Sequence, residues 1–256
     1  MSSIEASIAS KPHSGMSEAE WQVRVELAAC YRLVAHFGWD DLIFTHLSAR
    51  VPGPEHHFLI NPYGWLFDEI TASSLVKVDQ DGNIVDPDEK KRINPAGFTI
   101  HSAVHMARED AGAVMHLHAA DGVAVSAHAE GLLPLSQTAM LVHKHVAYHE
   151  FEGVALNLEE RERLIADLGD KNVMLLRNHG TLTVGRTVPE AFIWMYFLMQ
   201  ACEIQVKTLA CGKPHFPPQS AIETTYGQSD GLPMVANLAW RPLIRMLDRT
   251  QPSYKE

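Results

Sequence analysis

His116 and His118 stand two residues apart at the end of the apolar run AGAVMHLH. On a β-strand, residues i and i+2 share a face, so this spacing can turn two imidazole nitrogens toward one cation. Two solvated histidines at an exposed strand end would give the same pattern. The apolar run before the pair argues instead for a buried strand, and the ends of such strands are where α/β folds place their ligands. A catalytic metal site commonly takes three protein ligands and keeps one position for substrate or water. The stretch LLRNHGTLTVG offers His179 as a third ligand. Asn-His-Gly is also an ordinary turn sequence, and spacing alone does not bring it to His118.

The elements that must carry these groups can be read from periodicity and punctuation. Ser17 followed by Glu20 has the form of a capping box, opening a helix over EAEWQVRVELAACYRLVAHFG that Gly38 ends. In LIFTHLSARV, Ile43, Thr45, Leu47 and Ala49 alternate with Phe44, His46, Ser48 and Arg50, the period of a half-buried strand. HFLINPYG predicts a short strand closed by a Pro/Gly turn, and SLVKVDQDGNIVD a hairpin around Asp81-Gly82. Residues 96–108 predict a helix after Pro95, ADGVAVSAHA another, and NLEERERLIADLG an amphipathic helix between an Asn157 cap and a Gly169 stop. KNVMLLRNHGTLTVG reads as strand, tight turn, strand. TVPEAFIWMYFLMQACEIQVKTLACG is a long, almost wholly apolar helix with Pro189 in its first turn, and it must be buried in the core or against another subunit. The chain therefore divides into a flexible lead-in over 1–16, one α/β domain over 17–212, and a C-terminal arm over 213–256 in which LAWRPLIRMLDR forms a short helix.

The bulk composition excludes some partners. Of 256 residues, 21 are Lys or Arg and 31 are Asp or Glu, a net charge of −10 with no basic cluster. Nucleic acid and anionic membrane both require a concentrated basic face, so neither is expected. Cys30, Cys202 and Cys211 do not make a disulfide framework, which points to a reducing cytoplasm. No stretch approaches the roughly 18–20 apolar residues of a membrane span, and the N-terminus lacks the features of a signal peptide.

VMHLHAADGVAVSA, NVMLLRNHGTLTVG and EAFIWMYFLMQACEIQ together resemble the class II aldolase/adducin family. THLSARVPG, INPYGWLFDEITASSL, GLLPLSQTAM and VAYHEFEG extend the resemblance over about residues 17–212, closer to the adducin-head branch than to the sugar-phosphate aldolases. The resemblance implies a three-layer α/β/α fold around a mainly antiparallel sheet, a homotetramer, and a divalent metal held by His116, His118 and His179. Zinc is the expected ion, with iron or manganese as other occupants. Such a cation polarises a carbonyl of a bound small molecule.

The sequence also departs from that pattern. The aldolases of the family carry an acid/base carboxylate where this chain has Gly97. Their small phosphate-binding residues are replaced by Thr45-His46 ahead of LSAR, by Tyr63 in INPYG and by Pro95-Ala96. These changes argue for a non-phosphorylated substrate, bound by His46, Asn61, Tyr63 and Gly64. On a helix, His101 is i+4 from Gly97 and leans toward it, so it can take over proton transfer. It can equally be a structural residue behind the metal site. His105 is expected to be peripheral. His143 and His145 repeat the two-residue spacing without a third partner and are expected at the surface or a subunit interface. Tyr148, Asp68 and Glu69 are expected to be structural or solvated, and Cys202 and Cys211 to pack along the apolar helix.

Three functions fit these observations. The first is a metal-dependent aldolase, decarboxylase or epimerase acting beside a carbonyl, with His101 or water moving the proton. The second is a non-haem Fe(II) oxygenase on the same fold, since three imidazoles suit iron as well as zinc. The third is an adducin-like binding or scaffold protein without catalysis, which the glycine at position 97 favours.

Overall fold

The structure is a computed structural model that describes residues 16–154 and 157–256. Most of the expected lead-in lies outside the described residues. Seven strands form one sheet in the order β3-β2-β1-β4-β7-β6-β5. These are β1 (His46–Arg50), β2 (Phe58–Ile60), β3 (Val76–Val78), β4 (Ala113–Leu117), β5 (Val146–His149), β6 (Val173–Leu176) and β7 (Gly180–Gly185). Every neighbouring pair is antiparallel except β5–β6. Helices cover both faces, giving the expected three layers. On one side lie α1 (Glu18–His36), α3 (Ala120–Ser126), α4 (Gln137–His143) and α6 (Val188–Ala210). On the other lie α2 (Pro95–Ala107) and α5 (Glu160–Leu168).

The strand alternation sorts the core. Leu47, Ala49, Ala113, Met115 and Leu117 face the α1/α6 layer. Val114, Leu182 and Val184 face α2 and α5, packing with Ile100, Val104, Leu164 and Leu168. The opposite alternation in β1 sends His46 and Ser48 to the α2 side. The sequence suggests that this strand is half-buried, yet His46 is 3% exposed and Ser48 fully buried. The reason is that α2 covers the polar face of β1: Ser48 bonds His101 and His105 there, while the His46 ring packs over Gly97.

Ser17 caps α1 by accepting from the Glu20 N–H at 3.1 Å, while the Glu20 carboxylate turns to Arg24 and Lys77 and does not close a capping box. The expected hairpin after β3 is a single bridge, Val78 to Ile84, tightened by Asp79 accepting from the Asp81 and Asn83 N–H groups. Asn157 accepts from the Glu159 N–H just ahead of α5, and Gly169 stops that helix at φ +52°.

Thr187 caps α6, whose residues are buried through most of its length. Cys202 is buried among them, but Cys211 sits at the helix end and is exposed, because the packed face ends before it. The tail is more helical than its sequence suggests, forming α7 (Gln219–Gln228) and α8 (Leu232–Thr250), with Pro242 inside α8. α8 packs on α6 and α1. His143 and His145 are covered from this side: His143 stacks on Tyr226, and His145 Nε2 lies 3.0 Å from Ser229 Oγ. No helix among the described residues is long and apolar enough to cross a membrane.

Candidate metal centre

β4 carries His116 inside the sheet and delivers His118 just past its end. The β6–β7 turn then brings His179 across the neighbouring strand, with Asn178 in the left-handed region at φ +56°. Asn tolerates that conformation where most side chains do not. Arg177 holds the start of the turn: its guanidinium bonds the His128 carbonyl at 2.8 Å and lies 4.4 Å over the Tyr148 ring. The Tyr148 hydroxyl accepts from the Leu132 N–H, so this tyrosine is structural.

The three imidazoles converge. His118 Nε2 lies 3.0 Å from the Nε2 atoms of both His116 and His179. They are the one group of three or more metal-competent side chains that meets among the described residues. The far nitrogens explain why the near ones are available. His116 Nδ1 lies 3.0 Å from the Thr181 carbonyl oxygen, and His118 Nδ1 lies 3.0 Å from the Asp41 carboxylate. Both partners accept only, so each Nδ1 carries a proton, and the neutral form of each ring, the form that ligates a cation, has its lone pair on the inward Nε2. Bare nitrogens at this separation repel one another, and a cation between them removes the repulsion. The spacing is within a few tenths of an ångström of what zinc–nitrogen bonds of about 2.0–2.1 Å produce in a tetrahedron. Burial, followed by the other histidines, pushes His116 well below the usual imidazole range, and burial followed by His118 pushes His179 down to about 4. The donor set therefore fits a divalent ion.

His46 is the ladder partner of His116. Its ring fills the space over Gly97, where a β-carbon would stand 2.6 Å from three ring atoms. The place expected for His101 is thus taken by His46, because β1 crosses α2 at Gly97 and reaches it first. Neither ring nitrogen of His46 has a hydrogen-bond partner, and burial, then His118 and His179, pushes its pKa down to about 3. His101 is fully buried one helical turn further on, edge-to-face with His46 at 6.0 Å between centroids. Its Nδ1 lies 2.6 Å from Ser48 Oγ and its Nε2 has no hydrogen-bond partner. Burial lowers the His101 pKa strongly, with His46 and His105 adding to the effect and the His46 backbone opposing it.

His105 is not peripheral. It is buried, stacked 5.0 Å from Phe58, and bonded to both Ser48 Oγ and the Ala111 carbonyl. Asn61 is buried, its Oδ1 3.0 Å from the Tyr31 hydroxyl, which ties the start of the INPYG turn to α1. Tyr63 and Gly64 are exposed beyond it, Gly64 at φ +93°. Asp68 is exposed, and Glu69 caps its own turn by accepting from the Leu66 N–H.

Asp41, Ser48 and His105 carry roles that the sequence reasoning missed. The period of two in THLSAR already placed Ser48 beside His46, and the i, i+4 spacing placed His105 beside His101. Nothing in the sequence connects Asp41 to His118. A cleft of about 390 Å³ lined by residues that include Arg50, Glu109 and Arg186 opens at the opposite end of β4, away from the histidines.

Comparison with known proteins finds relatives over most of the chain. The family described as "Class II Aldolase and Adducin N-terminal domain" matches residues 25–206. A Caulobacter vibrioides protein named provisionally as an aldolase class 2 protein is 60% identical over 94% of this chain and 95% of its own. Rat alpha-adducin is 42% identical over 90% of this chain, which spans 34% of that protein. Among solved structures, an aldolase II superfamily protein of Pseudomonas syringae is 52% identical, with a TM-score of 0.91 over 94% of this chain and 98% of that one. L-fuculose 1-phosphate aldolase of Glaciozyma antarctica is 27% identical, with a TM-score of 0.81 over 97% and 98%.

Proposed function

The chain belongs to the class II aldolase and adducin family, and from that premise we propose that it is a divalent-metal-dependent enzyme, of the aldolase, decarboxylase or epimerase type, acting beside a carbonyl of a small, non-phosphorylated molecule. The observation that carries this reading is the convergence of three Nε2 atoms whose partner nitrogens on His116 and His118 are anchored by acceptors. A scaffold has no use for imidazoles oriented in this way by a second layer of bonds. When bound, a divalent cation, with zinc the expected ion, supplies Lewis-acid polarisation of a carbonyl oxygen.

The surrounding residues bind and orient the substrate. His46 offers two buried ring nitrogens without a protein partner. An unpartnered buried polar group costs about 1–3 kcal/mol, so these nitrogens call for a ligand or water. His101 stands next to it as the proton-handling group. Tyr63 and Gly64 are assigned to the substrate as the exposed part of a turn whose start Asn61 fixes. None of the residues assigned to the substrate is a Lys or Arg, which supports a non-phosphorylated molecule. The family premise also supports a homotetramer, and the thiol content a cytoplasmic setting.

Adducins are non-catalytic relatives in this reading, and Gly97 favours a scaffold as the second reading. The test is elemental analysis of protein purified anaerobically without added metal, beside a His116→Ala/His118→Ala variant. Near-stoichiometric zinc that disappears in the variant is expected and leads to a screen of carbonyl substrates. Iron lost in the same way would move the chemistry to dioxygen. No metal, or metal retained by the variant, would put the scaffold first.

A further inference from the structure

Behind the candidate site, α2 and β1 build a chain of hydrogen bonds whose direction is fixed at one end. His105 Nδ1 lies 3.0 Å from the Ala111 carbonyl oxygen. A carbonyl accepts only, so this nitrogen carries a proton. His105 is buried beside Arg50, and burial followed by Arg50 pushes its pKa down to about 3. The ring is therefore neutral at physiological pH and its Nε2 is bare. Ser48 Oγ lies 2.7 Å from that Nε2. A hydroxyl has one proton, and this contact uses it.

The same Oγ lies 2.6 Å from His101 Nδ1. With its proton committed to His105, Ser48 can only accept there, so His101 must carry its proton on Nδ1. Its Nε2, buried and without a hydrogen-bond partner, is left as a lone pair beside His46. The register makes this arrangement possible. Gly97, His101 and His105 follow one another at i, i+4 and i+8 on α2, facing His46, Ser48 and Arg50 on alternate positions of β1. Arg50 closes the far end by bonding the His105 and Arg108 carbonyls.

We propose that Ser48 and His105 are positioning residues that hold His101 in the Nδ1–H tautomer, so that the site offers a bare Nε2 acceptor to a substrate hydroxyl or to water. Only the last clause rests on the function proposed above. The tautomer itself is a property of the α2–β1 contact and does not need the metal.

The test is a long-range ¹H–¹⁵N correlation spectrum of ring-labelled histidines near pH 7.5, taken on the protein as isolated and again after chelation. The His101 and His105 signals are assigned by their loss in His101→Gln and His105→Gln. The expected result is an Nδ1–H, bare-Nε2 pattern for both residues, unchanged by chelation. In Ser48→Ala the His101 pattern should lose its pure Nδ1–H form, and Ser48→Thr, which keeps the hydroxyl, should restore it. A wild-type His101 with its proton on Nε2 would overturn the proposal, as would a Ser48→Ala spectrum identical to wild type. If Ser48→Ala fails to fold, the wild-type spectrum decides alone. Because chelation leaves the readout intact, a failed metal assignment and a failed relay give different results.

Discussion

The imidazole of His46 lies across Gly97 so closely that a β-carbon at position 97 would stand 2.6 Å from its Cγ, Nδ1 and Cδ2 atoms. The two positions are thus mutually exclusive: one side chain fits between β1 and α2, and here it comes from the strand. Overpacking a buried contact costs about 1–3 kcal/mol, and the gain from replacing glycine near a helix start offsets only part of it. Gly97→Ala should therefore destabilise the protein by about 1–2 kcal/mol. In a His46→Ala background the same change should be neutral or stabilising. Urea unfolding of the double-mutant cycle checks the coupling; additive effects would mean that the two residues do not share this space.

Asp41 should matter through the metal and little through the fold. Its carboxylate lies 3.0 Å from His118 Nδ1 and is 43% exposed, so the pair itself adds little stability. Its work is to keep the His118 lone pair on Nε2. Asp41→Asn should weaken zinc binding on the order of 10–100-fold, the usual effect of losing such an outer partner, with the thermal midpoint of the chelated protein within a degree or two of wild type. Competition titration with a chromophoric chelator measures it, and unchanged affinity would remove Asp41 from the site.

Much of this site is legible in the sequence. The two-residue spacing placed His116 and His118 on one face of β4, and the apolar strands around Asn-His-Gly placed His179 in a turn. What the sequence hides is what fills the gap over Gly97. That depends on the angle at which β1 crosses α2, a tertiary quantity with no periodic signature. The burial of β1 is obscured for a related reason: His46, Ser48 and Arg50 read as a solvated face, yet α2 covers it and supplies hydrogen-bond partners to Ser48 and Arg50, though none to the His46 ring. Asp41 is out of reach because its link to His118 joins segments 77 residues apart. α4 and β5 coincide with the stretches GLLPLSQTAM and HKHVAYHEF, where histidines and prolines mask the underlying period.

The buried histidines make stability depend on pH in one direction. His105 has its pKa pushed down to about 3 by burial, with Arg50 adding, against about 6.5 in an unfolded chain. Between these values the unfolded state binds the proton and the folded state does not. Stability is therefore fully present above about pH 6.5 and falls as the pH drops, by up to about 1.4 kcal/mol per unit for this one group. In chelated protein, urea midpoints should fall steadily from pH 6.5 to 4. His105→Gln should lower stability overall yet flatten that slope. Parallel slopes in variant and wild type would show that His105 titrates normally in the folded state.

The turn that delivers His179 is held on both sides, which concentrates any strain on Asn178. Upstream, Arg177 is clamped by the His128 carbonyl and the Tyr148 ring. Downstream, a β-carbon at Gly180 would stand 2.5 Å from the Leu117 carbonyl oxygen, so the chain cannot relax in that direction. Asn178 itself is at φ +56°, where glycine is at ease and a β-branched side chain is strained by about 1–2 kcal/mol. Asn178→Gly should therefore keep its metal, with stability unchanged within about half a kcal/mol. Asn178→Val has to relieve its strain by moving the turn, and His179 moves with it. Elemental analysis should show metal lost from Asn178→Val at temperatures where circular dichroism still reports a folded sheet. The zinc-induced rise in thermal midpoint should shrink in the same variant. If Asn178→Val keeps both its metal and its zinc-dependent stabilisation, the left-handed turn is not what positions His179.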